Sequence, residues 1–242
     1  NSIINGITDW VYEEEFAFVK AFDWSADSKK IAFIRFDESE VPEFSMSIFQ
    51  KELYPKVETF KYPKAGEKNA VVSLHIYDVA SQTKKVVNLG NYNDFYIARM
   101  QWTNDANVLS AQVLNRHQDN LDLLFIDGTT AAAKVVLNEK DKAYIDVTDN
   151  LTFLKDNSFI WTSEKDGFNH IYLYDKTGKL INQVTKGNWE VTNYYGFDEK
   201  TKTIFYQSVE NGSINRDIYR IGLDGKNKVR LSSKVGTSAA TF

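Results

Sequence analysis

Four times along this chain the same order of short β-prone runs recurs, and that recurrence restricts the fold more than any other feature. The first set is Phe22–Ser25, Ile31–Phe36, Val72–Val79 and Lys84–Leu89. The second is Ala98–Thr103, Val108–Leu114, Leu121–Ile126 and Ala133–Leu137. The third is Leu151–Leu154, Ser158–Thr162, His170–Tyr174 and Leu180–Val184. The fourth is Tyr194–Phe197, Thr203–Ser208, Asp217–Ile221 and Lys228–Leu231. The first turn of each set is small and polar: Ala26-Asp27-Ser28, Asn104-Asp105, Lys155-Asp156-Asn157 and Asp198–Thr201. The third run of each set ends at Asp78, Asp127-Gly128, Asp175 to Gly178, and Asp224-Gly225, residues that tolerate tight turns and positive φ.

A four-strand unit repeating every roughly 40–50 residues is the signature of a propeller blade. An irregular β-sandwich is the competing fold, but it does not require the same turn placement four times over. The chain is therefore expected to be all-β, a partial β-propeller of about four to five four-stranded antiparallel blades, with a short helical segment ahead of the first. Residues 1–21 form that lead-in. Blades are expected over 22–97 (interrupted by a long insertion, 37–71), 98–142, 143–190 and 191–242. The last range includes the start of a further blade, because Ser238-Ala239-Ala240-Thr241-Phe242 reads as an opening strand. The first residue is Asn, no signal peptide is visible, and the chain reads as a piece of something longer.

Composition removes several function classes. The net charge of −4 comes from interspersed acids and bases, with no basic stripe for a nucleic acid or an anionic membrane surface. No run of 18 apolar residues exists. The absence of cysteine excludes disulfides, thiolate catalysis and Cys-ligated zinc. His75 and His170 sit in strand-like runs and His117 in a polar turn, so none is expected to serve in a metal site or a triad. No G-x-S-x-G elbow occurs, and Asn211-Gly212-Ser213 reads as a hairpin turn. No catalytic residue, metal or cofactor is expected here. Asn150-Leu151-Thr152 and Asn211-Gly212-Ser213 fit the glycosylation pattern, which arises often by chance, and neither is assigned a role.

The stretch that carries chemistry is Asp9-Trp10-Val11-Tyr12-Glu13-Glu14-Glu15-Phe16. Adjacent carboxylates repel and raise one another's pKa. Such a run is either a solvated acidic turn of helix or a cation-binding cluster. An acidic pair beside an apolar patch suits a primary ammonium, which brings three donors and one charge.

This octapeptide resembles the Glu-Glu motif of dipeptidyl peptidase IV, in the prolyl oligopeptidase family of serine peptidases. The resemblance continues through Phe36–Pro42, Tyr54-Pro55-Lys56, Tyr62–Gly66, Leu114–Gln118, Asp166–Ile171 and Thr185–Val191, in order and at similar spacing. It implies that Glu14 and Glu15 hold the free N-terminal amine of a peptide substrate, with Glu13 structural. An extended residue advances roughly 3.3–3.6 Å, so a fixed anion two residues from the nucleophile measures off a dipeptide. It further implies a serine exopeptidase releasing X-Pro or X-Ala dipeptides, its Ser-Asp-His triad on an α/β-hydrolase domain that follows the propeller. The family's Arg-Phe-Arg segment aligns with Tyr144-Ile145-Asp146-Val147, where this chain departs from the pattern. Tyr144 is the candidate aromatic wall there, against the plainer reading of an ordinary surface or core tyrosine. A further substrate-contacting arginine would lie upstream of Asn1. The insertion over 44–64, with Phe44, Met46, Ile48, Phe49, Leu53, Tyr54 and Phe60, is too apolar for a free loop. It either folds back on its blade or, as the resemblance implies, projects as an arm that builds a homodimer. The resemblance also implies a bacterial protein of the periplasm or cell surface. A free-standing propeller serving as a protein-interaction module is the alternative.

Overall fold

A computed structural model describes residues 2–241 and divides into two compact units, Asn1–Val147 and Thr148–Phe242. In the first unit lie β1 (Ile3–Asn5), helix α1 (Trp10–Glu15), β2 (Phe22–Trp24), β3 (Lys30–Asp37), β4 (Glu43–Ile48), β5 (Lys56–Lys61), β6 (Val71–Asp78), β7 (Thr83–Val86), β8 (Phe95–Trp102), β9 (Val108–Asn115), β10 (Asn120–Asp127) and β11 (Ala133–Lys140). The second unit holds β12 (Thr152–Phe153), β13 (Phe159–Ser163), β14 (His170–Tyr174), β15 (Leu180–Gln183), β16 (Val191–Asp198), β17 (Thr203–Ser208), β18 (Asp217–Gly222) and β19 (Val229–Arg230).

The four strand sets read from the sequence form four antiparallel sheets. Three are simple meanders, β8 to β11, β12 to β15 and β16 to β19. Every neighbouring pair in them is antiparallel. Their middle strands are buried on both faces: all five residues of β13 and of β14 are inaccessible. Such strands lose the alternation of a half-solvated sheet and read as continuous apolar runs. The last strand of the first sheet, β7, is short, and all four of its residues face solvent. Lys84 and Lys85 there discourage pairing with a foreign edge. In the second unit the core runs through Leu154, Ile160, Ile171, Leu173, Val184, Ile204, Tyr206 and Ile221. Burial of a side chain the size of Ile204 contributes roughly 1.5–3 kcal/mol.

The tight turns share one device. Asp27, Asp105, Asp156, Asp175, Asp198 and Asp224 each accept the backbone N–H two residues on through Oδ1. These Asx-turns substitute a side-chain carboxylate for a backbone turn acceptor. Hydroxyl and amide donors hold the carboxyls of Asp156, Asp175 and Asp198 below the usual range.

The first sheet departs from the simple pattern. Its order is β1-β3-β6-β7, and β2 pairs with the same edge of β3 as β1 does. Ile3 to Asn5 face Asp37 to Arg35, and Phe22 to Trp24 face Phe33 to Ile31. The edge strand is thus split, and residues 6–21 leave and return between its halves. Gly6 makes the exit at φ +72, a conformation that glycine adopts without strain. The stem is closed by an Ile7–Lys20 bridge, by Thr8 N–H to Val19 O at 3.1 Å and by Thr8 Oγ1 to Phe18 O at 3.0 Å. The insertion between β3 and β6 folds as the β4–β5 hairpin, with Phe44 opposite Phe60.

At the far end no strand forms over residues 238–241, and Phe242 lies outside the described residues. Thr237 makes a single parallel bridge to Arg216.

Candidate functional site

The split edge strand lifts α1 out of the first sheet. Asp9 caps it: with extended backbone (φ −78, ψ 177), its Oδ1 accepts the Tyr12 N–H at 3.0 Å. Such a cap satisfies one of the orphan donors of a helix start. At its two ends Glu13 N–H donates to the Asp9 carbonyl and Phe16 N–H to the Tyr12 carbonyl. Ala17, at φ +55, then turns the chain out of helix.

The helix is anchored by its aromatic face. Tyr12 is 2% exposed and packs against Phe16, Phe18, Phe36 and Tyr96, with ring centroids 4.9–6.0 Å apart. Its hydroxyl accepts the N–H of Ile97 at 2.9 Å. Ile97 lies on β8, the edge strand of its sheet, where β8 slips register against β9 between Ile97 and Arg99. Burial above all, with Asp9 nearby, pushes the Tyr12 phenol well above its ordinary pKa, so it stays neutral. On the opposite side the Trp10 ring packs on Tyr62 at a tilt of 45°, centroids 4.1 Å apart. Tyr62 in turn packs on Phe44 and Phe60 at the base of the hairpin.

Glu13, Glu14 and Glu15 are all exposed. Glu14 and Glu15 occupy the C-terminal end of a helix whose last turn holds no basic residue. Carboxylates there oppose the helix dipole as well as each other. The placement works against local stability on a well-anchored element.

Glu15 lines a cleft of about 400 Å³ together with Trp10, Phe16, Tyr62, Tyr96 and Arg116. Asn69 donates to the Tyr96 hydroxyl at 3.0 Å, and the Arg116 guanidinium lies 5.7 Å from the Tyr96 ring centre. Burial above all raises the Tyr96 pKa; Arg116 and the Asn69 hydrogen bond pull it down, and Asp94 and, less, Glu15 push it up. Glu14 lies next to Glu15 but is not among the residues lining this cleft. Tyr144 is 59% exposed and also lies outside the lining. Its neighbour Ile145 donates to the backbone oxygen of Gln118, a lining residue, at 2.7 Å.

The histidines play other parts. His75 stacks on Phe33 and meets Ser73 Oγ at 2.9 Å; burial foremost lowers its pKa to about 4. His170, fully buried, bridges Thr185 Oγ1 at 3.1 Å and Gly187 O at 3.0 Å. His117 is exposed in the turn after β9. Among the described residues no group of His, Asp and Glu is arranged to hold a metal ion.

Four-stranded antiparallel sheets with doubly buried middle strands, and an acidic helix grafted into one edge, define part of a β-propeller. The family model for the dipeptidyl peptidase IV N-terminal region matches residues 1–242, and the chain belongs to that family. It is similar to dipeptidyl aminopeptidase B of Saccharomyces cerevisiae, 31% identical over 94% of this chain and 30% of that protein. It is also similar to dipeptidyl peptidase 4 of Trichophyton equinum, 30% identical over 92% of this chain and 30% of that protein. The crystal structure of Porphyromonas gingivalis dipeptidyl peptidase 4 superposes with a TM-score of 0.92 at 45% identity, over 98% of this chain and 34% of the other. The chain therefore spans about a third or less of the length of these relatives.

Proposed function

We propose that this chain is the substrate-recognition and gating region of a serine dipeptidyl peptidase, in which Glu14 and Glu15 hold the free amine of an incoming peptide. The observation that carries this reading is the anchorage of α1. Asp9 caps it, Tyr12 pins it to Ile97, and Trp10 leans on Tyr62, yet its acidic end stays exposed beside a cleft. Two neighbouring carboxylates match an ammonium in charge and in acceptor number. A blocked amine would leave them facing each other with no cation between, which is the basis of rejection.

The bond-breaking groups lie outside this chain, on a hydrolase domain of the same protein. Dipeptides are the proposed products, since the relatives are named as dipeptidyl peptidases, and X-Pro and X-Ala are the dipeptides that the resemblance of the Glu-Glu motif implies. Tyr144 supplies an aromatic wall further along the peptide. The β4–β5 hairpin is the arm of a homodimer: Phe49, Leu53 and Tyr54 at its tip are 74%, 87% and 80% exposed, more apolar surface than a solitary hairpin leaves in water. A bacterial periplasmic or cell-surface location fits a peptidase that collects dipeptides from externally digested protein. In the full-length protein, Glu14→Ala or Glu15→Ala is expected to reduce kcat/KM on free-amine substrates at least a hundredfold; wild-type values for both variants would exclude the reading.

A further inference from the structure

The amine reading leaves two cations of the cleft unused: Lys64, whose ammonium lies 5.5 Å from the Phe44 ring centre, and Arg116. Arg116 sits in the turn after β9 with its side chain 32% exposed, and among the described residues it donates no hydrogen bond. Its ion-pair neighbour, Asp94, stands at 4.0 Å with 70% of its own side chain in solvent. A pair that long and that exposed contributes little. Three other guanidinium groups are given acceptors: Arg230 meets Asp217 at 2.6 Å, Arg35 meets Asp37 at 3.3 Å, and Arg99 meets Ala98 O at 2.7 Å. Arg116 instead rests against the Tyr96 ring with its planar fork unfilled.

A half-buried guanidinium with open donors is best matched by a carboxylate, through two parallel hydrogen bonds. The same cleft presents the Glu15 carboxylate and walls of Trp10, Phe16, Tyr62 and Tyr96. Opposite charges facing one cavity select a ligand that carries both, a few bonds apart. A peptide whose N-terminal residue is Asp or Glu has that form: an α-ammonium and a side-chain carboxylate on one residue.

We propose that Arg116 forms a subsite for the acidic side chain of a substrate's N-terminal residue, the α-amine of that residue resting on Glu14 and Glu15. The proposal deepens the amine-anchor reading and depends on it for the position of the peptide. Asp94 is the local competitor; a ligand carboxylate in direct contact displaces it because the existing pair is loose and solvated.

The test uses the full-length protein and chromogenic amides with free N-termini. The unmodified protein is expected to turn over Glu-Pro amides with at least threefold higher kcat/KM than isosteric Gln-Pro amides; equal values would overturn the proposal. Arg116→Gln is expected to reduce the Glu-Pro to Ala-Pro ratio of kcat/KM about tenfold or more, the loss of a charge-assisted hydrogen bond. Arg116→Glu is expected to shift preference toward Lys-Pro amides. An unchanged ratio in both variants, or an equal fall on all substrates, would overturn the subsite. Glu14→Ala and Glu15→Ala keep the two readings apart. If they spare activity while the Arg116 ratio still shifts, the amine anchor fails and only the contact between Arg116 and the substrate carboxylate stands. If they abolish activity while the ratio stays fixed, the subsite fails alone.

Discussion

The Tyr12 hydroxyl receives the backbone amide proton of Ile97 across 2.9 Å, at the point where β8 slips register against β9. This single bond ties the helix that carries Glu14 and Glu15 to the first strand of the next sheet. Both partners are buried, so neither has water as a substitute.

Removing that hydroxyl alone is therefore expected to be costly. Tyr12→Phe keeps the ring packing but orphans the Ile97 N–H, a loss of about 1–3 kcal/mol. Denaturant unfolding is the measurement; a midpoint within error of wild type would show that the bond is not needed. Tyr12→Ala adds a cavity among Phe16, Phe18 and Phe36 and is expected to lose a further few kcal/mol.

Asp9 makes the stability of this region depend on pH. Burial above all, partly offset by the Tyr12 N–H and reinforced by Glu38, raises its carboxyl to about 6. Its folded pKa lies above the unfolded value, so between about pH 4 and 6 the folded state binds the extra proton. The Asp9 contribution thus improves as pH falls from 6 to 4, and at neutral pH the buried charge is a penalty. Asp9→Asn keeps an acceptor for the cap and removes that penalty. The variant is expected to be more stable than wild type at pH 7, on the order of 1–3 kcal/mol, with the gap closing by pH 4. A gap that is constant across the range, or of opposite sign, would contradict this.

The arm is open to a test of association state. Leu53→Asp with Tyr54→Asp places charge at the exposed tip of the β4–β5 hairpin, far from its aromatic base at Phe44, Phe60 and Tyr62. Sedimentation of the full-length protein is expected to change from dimer to monomer with little change in melting temperature. A dimer that survives the double substitution would assign the interface elsewhere.

Much of this architecture was readable because blades repeat their local chemistry. The repeating β-prone runs and the recurring turn aspartates placed the sixteen strands of the four sets to within a few residues, as at Ser158–Thr162 against β13 and Tyr194–Phe197 against β16. The split edge was not readable. Ile3-Ile4-Asn5 is too short to signal a strand, and only its pairing with Asp37 to Arg35 reveals one. The hairpin within the insertion was legible only as apolar excess, since Glu43–Ile48 and Lys56–Lys61 mix charged and apolar residues without a clean period. The acidic helix announced itself through three adjacent glutamates. Arg116 did not: it stands about a hundred residues from Glu15 in sequence, and only the packing of Tyr96 between them brings the two into one cleft. Tyr144 was chosen by alignment to a segment from which this chain departs, so its own residues carried no independent signal.

The direct test of the amine anchor is discrimination between a free and an acetylated N-terminus on otherwise identical Ala-Pro amides, in wild type and in Glu14→Gln/Glu15→Gln. The wild-type protein is expected to prefer the free amine by several hundredfold in kcat/KM, and the double variant, with its charges gone and its side-chain shape kept, to retain less than a tenth of that preference. Undiminished discrimination in a folded double variant would mean that some other group reads the peptide's charged end.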